Sequence, residues 1–122
     1  MTLLNDFFHI TATNTEDSAA TYSIALNPEH PIFKAHFPGN PITPGVCQLA
    51  IVEELMSQRE GQPLRLAHIA NIKYMEILTP TTDPQLNVEL SRIRQVEGGI
   101  ALQAVLRNER TAFTKMSITL HG

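Results

Sequence analysis

The segment that most restricts what this chain can fold into runs over residues 44–58. Its first two turns carry Val46, Cys47, Leu49, Ala50, Ile51 and Val52, with Gln48 as the single polar residue among them. A helix that is apolar nearly all round does not lie on a surface; the rest of the chain has to enclose it. Thr43 stands where an N-cap is needed, Pro44 takes the first helical position, where a missing N–H does no harm, and Gly61 follows the end. From Glu53 to Glu60 the composition turns polar, which predicts that this end emerges into solvent.

The remaining sequence supplies the enclosure. Alternation over residues 8–13 and 21–26 predicts two strands, joined through the polar stretch 14–18 into a hairpin. Segments rich in Ile, Val, Leu and Thr follow at 64–77, 85–96, 100–108 and 112–120. The turns Glu97-Gly98-Gly99 and Asn108-Glu109-Arg110-Thr111 are short enough to make the last three an antiparallel meander. The 122 residues suffice for one domain, 1–122, with a real core. One buried helix and five or six strands predict an α+β fold, a curved antiparallel sheet wrapped around the helix. Such a sheet has open edges, and pairing two subunits covers them, so a homodimer is expected.

Composition removes several function classes. Nine basic residues against twelve acidic give a formal charge of −3, with no cluster of Lys and Arg among aromatics, so nucleic acid is not an expected partner. The single cysteine, Cys47, sits among apolar neighbours and reads as a small core residue. The first ten residues lack a basic leader region, and no apolar run reaches the length of a membrane span; a cytoplasmic protein without membrane contact is expected. His9, His68 and His121 lack acidic or cysteine companions at metal-ligand spacing. Neither a metal nor a cofactor is expected.

Between the hairpin and the helix, Asn27-Pro28-Glu29-His30-Pro31 breaks the alternation and predicts an ordered loop as far as Pro44. Loops of this length tend to carry function. It ends in His36-Phe37-Pro38-Gly39-Asn40-Pro41-Ile42-Thr43-Pro44-Gly45-Val46, a stiffened scaffold running straight into the helix. Imidazole serves readily as a proton acceptor near neutral pH. The free N–H groups of a helix start stabilise developing negative charge. Together they suit proton abstraction beside a thioester or other carbonyl.

The stretch from His30 through Val46 resembles the signature of the hotdog-fold 3-hydroxyacyl-[acyl carrier protein] dehydratases of fatty-acid synthesis, and the order of elements agrees over almost the whole length. The resemblance implies a hotdog fold, a double-hotdog dimer with an acyl tunnel beside the helix, and a lyase acting on 3-hydroxyacyl thioesters of acyl carrier protein or coenzyme A. It implies His36 as the base that takes the C2 proton and the Gly45 N–H as the donor to the thioester oxygen. Phe37, Pro44, Val46, Gln48 and Ala50 would line the substrate path, with Phe33 and Ile42 as packing groups. Lys34, Lys73, Arg92 and Arg94 are candidates for an acidic carrier or a phosphopantetheine phosphate. The stretch Tyr74-Met75-Glu76-Ile77 lacks the basic residues often found there in the family.

The chain departs from the family at one place. Fourteen positions after the histidine these dehydratases carry Glu or Asp, and this sequence has Ala50. Glu54, one turn further and leaning back toward the helix start, is the candidate for a relocated acid; Glu53 lies near the same face. The bland alternative is that both glutamates simply face water. The leading reading is a dehydratase-like enzyme using His36, Gly45 and Glu54. The alternatives are a partner subunit of a heteromeric hotdog dehydratase, an acyl thioesterase built on Glu53 or Glu54, and a non-catalytic acyl-binding module.

Overall fold

A computed structural model describes residues 2–122. The alternating segments become strands β1 (Phe8–Thr15), β2 (Ala20–Leu26), β3 (Arg65–Tyr74), β4 (Gln85–Val96), β5 (Gly99–Arg107) and β6 (Ala112–His121), with helices α1 (Pro31–Ala35) and α2 (Gly45–Glu60). All six strands form one antiparallel sheet in the order β1-β2-β4-β5-β6-β3. The first hairpin and the final meander are as expected, and β3 crosses to the outer edge beside β6.

Register sets the core. Tyr22 and Ile24 of β2 oppose Val88 and Leu86 of β4; Leu90 and Val88 oppose Ala104 and Leu106 of β5. Ile100, Leu102 and Ala104 in turn oppose Leu120, Ile118 and Met116 of β6. Directly opposed residues share a face of the sheet, and every one of these is buried. Against that face α2 packs Cys47, Ile51, Val52, Leu55 and Met56, while Leu3, Phe7, Phe8 and Phe33 complete the same cluster. Each large apolar side chain buried this way is worth roughly 1.5–3 kcal/mol. Burial pushes the Cys47 thiol up from its ordinary range, in keeping with a packing role.

The polar end of α2 differs from expectation: only Gln58 is exposed between Glu53 and Glu60. Glu53 Oε2 accepts a hydrogen bond from the Leu66 N–H at 2.8 Å. The Ser57 hydroxyl donates to the Glu53 carbonyl at 2.7 Å and accepts from the Leu64 N–H at 2.9 Å. Arg59 donates to the carbonyls of Glu16 and Asp17 at 2.9 and 2.7 Å and pairs with Glu60. Backbone that crosses the helix end leaves donors and acceptors needing partners, and these side chains supply them. At the other end, Pro44 rather than Thr43 is the N-cap, without a side-chain cap bond. Val46, expected within the enclosed helix, is 66% exposed. Gly61 closes the helix in the left-handed region at φ 70°, its N–H donating to the Ser57 carbonyl.

Two further boundaries moved. Strand β3 ends at Tyr74 instead of Ile77, because the N–H groups of Met75 and Glu76 both turn onto the Phe113 carbonyl. The stretch expected as continuous loop contains α1. His30 is its N-cap, with Nδ1 accepting from the Ile32 N–H at 3.1 Å, and Pro31 begins the turn. With Nδ1 as acceptor, Nε2 carries the proton and donates to Asp6 Oδ2 at 3.2 Å, while the ring stands edge-on to Phe7 at 5.2 Å. The histidine thus ties the start of the functional loop to the N-terminal segment. His30→Ala is expected to lower unfolding free energy by about 1 kcal/mol in denaturant titration, with His30→Asn recovering part of it through its own capping oxygen.

Candidate active site

The site is assembled by backbone hydrogen bonds that fold the loop on itself. His36 ends α1, its N–H donating to the Ile32 carbonyl at 3.0 Å, and its own carbonyl accepts from the Ile42 N–H at 2.8 Å. Between them Phe37 and Asn40 exchange bonds of 3.2 and 2.9 Å around a turn with Pro38 first and Gly39 second. Gly39 has φ 74°, the conformation the second central residue of a type II turn requires. The Thr43 N–H then donates to the Leu78 carbonyl at 2.8 Å, anchoring the loop to the segment that follows β3. The His36–Phe37 peptide is cis. The His36 ring is exposed and edge-on to Phe37, their centroids 5.6 Å apart.

At the start of α2 the N–H groups of Cys47 and Gln48 turn back to the Pro44 carbonyl at 3.0 and 3.1 Å. Those of Gly45 and Val46 have no acceptor among the described residues. They lie at the positive end of a 16-residue helix. Gly45 borders a groove of about 400 Å³ between residues 42–45 with Gln48 on one side and residues 74–78 on the other. A free donor on an oriented helix end, opening on such a groove, can stabilise negative charge developing on a carbonyl oxygen.

The expected substrate-lining residues divide. Pro44 and Gln48 border this groove. Phe37 and Val46 are exposed, and Ala50 is buried in the core. Gln48 is itself buried and held at both ends: Nε2 donates to the Thr43 carbonyl at 3.1 Å, and Oε1 accepts from the Thr114 hydroxyl. Of the basic residues, Lys34 borders a hollow with Phe37 and Pro38, whereas Lys73 sits on edge strand β3. Arg94 donates to the Arg92 carbonyl at 2.7 Å, on β4.

Glu54 is committed elsewhere. Its carboxylate accepts three backbone hydrogen bonds, two from the Leu3 N–H at 2.7 and 2.8 Å and one from the Leu4 N–H at 2.8 Å. It borders a separate groove at the far end of α2, which shares no residue with the one at Gly45. Both the expectation that it reaches back over Ala50 and the alternative that it faces water give way to this arrangement, because the N-terminal segment brings unpaired N–H groups onto the helix just there.

Two groove residues escape a reading of local motifs. Tyr74 is the register partner of Thr114 and so shares its face of the sheet, which lays the ring across Gly45. A Cβ on Gly45 would stand 2.7 Å from the Tyr74 ring and from its hydroxyl oxygen. Thr43 is buried, and its hydroxyl has no hydrogen-bond partner among the described residues. Both positions are defined by non-local pairing, and no spacing in the sequence signals them.

The family model of ApeI-like proteins, described as ApeI dehydratase, matches residues 12–114. The chain belongs to this ApeI-like dehydratase family. It is 28% identical over 109 residues to the 3-hydroxyacyl-[acyl-carrier-protein] dehydratase FabZ of Lactiplantibacillus plantarum, covering 84% of this chain and 73% of that one. Over 77 residues it is 30% identical to FabZ of Chloroflexus aggregans, covering 57% of this chain and 54% of the relative. The chain therefore spans between about half and three-quarters of the length of these curated relatives. Its fold is that of a chain in the ApeI:P dehydratase heterocomplex from Xenorhabdus doucetiae, with TM-score 0.73, 18% identity, and coverage of 93% of this chain and 96% of that one. The hotdog arrangement expected from the His36 motif is thereby established. No helix among the described residues is long and apolar enough to cross a membrane.

Because its three bonds are to a charged acceptor, Glu54 should matter to stability. Glu54→Ala is expected to lower unfolding free energy by about 2 kcal/mol and to speed amide hydrogen exchange at Leu3 and Leu4 in particular.

Proposed function

We propose that this chain supplies the base and the oxyanion donor of a dehydratase acting on 3-hydroxyacyl thioesters, carried on acyl carrier protein or coenzyme A, in cytoplasmic acyl-chain synthesis. The observation that carries the reading is the unpaired Gly45 N–H at the start of α2, open to a groove and preceded by the loop that holds His36. His36 takes the C2 proton, and the electron pair moves toward the thioester oxygen, where the Gly45 N–H meets the growing charge. Return of that pair forms the C2–C3 double bond and breaks the C3–O bond. Hydroxide is a poor leaving group, so the oxygen departs as water only after a donor has given it a proton. The product is a 2-enoyl thioester.

That donor is the open place in the chain. Ala50 has no proton to give, and the Glu54 carboxylate is bound to Leu3 and Leu4. These two observations favour the alternative of a site completed by a second hotdog subunit that carries the acid. The related ApeI:P structure is a dehydratase heterocomplex. Strand β3 lies at the edge of the sheet and, with Ile69, Tyr74 and Val46 exposed, offers the surface for such a subunit in a heterodimer, whereas a homodimer formed on the same edge would carry Ala50 in both copies. The thioesterase alternative draws no support, since Glu53 is bound to the Leu66 N–H as Glu54 is to Leu3 and Leu4.

The test is the rate at which enoyl-thioester absorbance appears from a 3-hydroxyacyl thioester, measured with the protein in its native assembly. His36→Ala is expected to reduce that rate by about 10²-fold or more while leaving the melting temperature unchanged, because the ring is exposed. Turnover at the wild-type rate by this variant would rule the assignment out.

A further inference from the structure

On the reading just given, with an acyl-thioester carbonyl at Gly45, we propose that the Tyr74 hydroxyl is a second hydrogen-bond donor to that carbonyl oxygen, making a two-donor oxyanion site with the Gly45 N–H. Contact is the first ground. A Cβ on Gly45 would lie 2.7 Å from the phenol oxygen. A Cβ sits about 2.5 Å from its own amide nitrogen, so the hydroxyl lies within about 5 Å of the Gly45 N–H. One oxygen accepting an N–H at about 2.9 Å and an O–H at about 2.7 Å spans such a gap.

The groove also looks built for a polar ligand atom. The Tyr74 hydroxyl makes no hydrogen bond to a described residue, although its strand neighbour Thr114 is bonded to Gln48 and Gln48 to Thr43. Thr43, 2% exposed, borders the same groove, and its buried hydroxyl has no partner among the described residues. A buried hydroxyl left unpaired costs about 1–3 kcal/mol, so the wall of the groove carries unmet hydrogen-bonding capacity. Desolvation holds the Tyr74 phenol above its ordinary value, which keeps it a donor across neutral pH.

No covalent bond forms or breaks at Tyr74. Its hydrogen bond strengthens as the C2 proton leaves and charge gathers on the carbonyl oxygen, and relaxes as water departs. Such a donor acts on the rate more than on ground-state binding. It also accounts for glycine at position 45, since a side chain there would push the phenol aside.

The probe is a but-2-enoyl-pantetheine thioester labelled with ¹³C at the carbonyl, read by difference infrared spectroscopy on the protein in its native assembly. The bound carbonyl band is expected to move to lower frequency in the wild type and to return part of the way in Tyr74→Phe, whose ring still packs on Gly45. In the dehydration assay the same variant is expected to lose about 10²-fold in kcat with little change in KM. An undiminished band shift and undiminished kcat in Tyr74→Phe would overturn this inference alone. A carbonyl band that the wild-type protein does not shift would overturn the acyl-thioester reading, and this inference with it.

Discussion

The packing of α2 against the concave face of the sheet is the interaction on which the rest depends. Ile51, Val52, Leu55 and Met56 are completely buried there, against rows of β-branched and leucine side chains set by strand register. Val46 in the first turn and Gln58 near the far end are exposed. Gly45 and Val46 keep N–H groups with no acceptor among the described residues, although the Tyr74 ring crosses Gly45. A helix start with unbonded N–H groups can stabilise negative charge on an oxygen brought to it, since the orphan donors and the dipole point the same way.

The two ends of the helix divide the labour. At the far end Glu53, Glu54, Ser57 and Arg59 bind passing backbone and fix the N-terminal segment, the β1–β2 turn and the start of β3. At the near end the buried Gln48 side chain ties the loop at Thr43 to β6 at Thr114. Through that tie the groove floor and the strand partner of Tyr74 belong to one hydrogen-bonded unit. The family's acid position falls between these ends, and there the chain has a methyl group.

Much of this was legible in the sequence. Apolar residues on every face of residues 46–52 require enclosure, and the alternation elsewhere provides the sheet, so the architecture follows from periodicity alone. The His36 motif pointed to the family that the comparisons establish. Local pattern failed where a side chain answers a distant backbone. Glu54 looks solvated because nothing near it in sequence shows that Leu3 and Leu4 arrive with unpaired N–H groups. Helix α1 was hidden because its cap is a histidine, which propensity does not mark as a capping residue. Tyr74 reaches Gly45 only through its pairing with Thr114 across the sheet.

The central claim is that this chain brings a base and an oxyanion donor while the acid comes from another subunit. Its most direct test is the rate of water loss from a 3-hydroxyacyl thioester, per folded molecule, in Glu54→Gln assayed in the native assembly. The account predicts wild-type turnover despite a lowered melting temperature. A variant that keeps its melting temperature yet no longer dehydrates would place the proton donor on Glu54 and contradict the account.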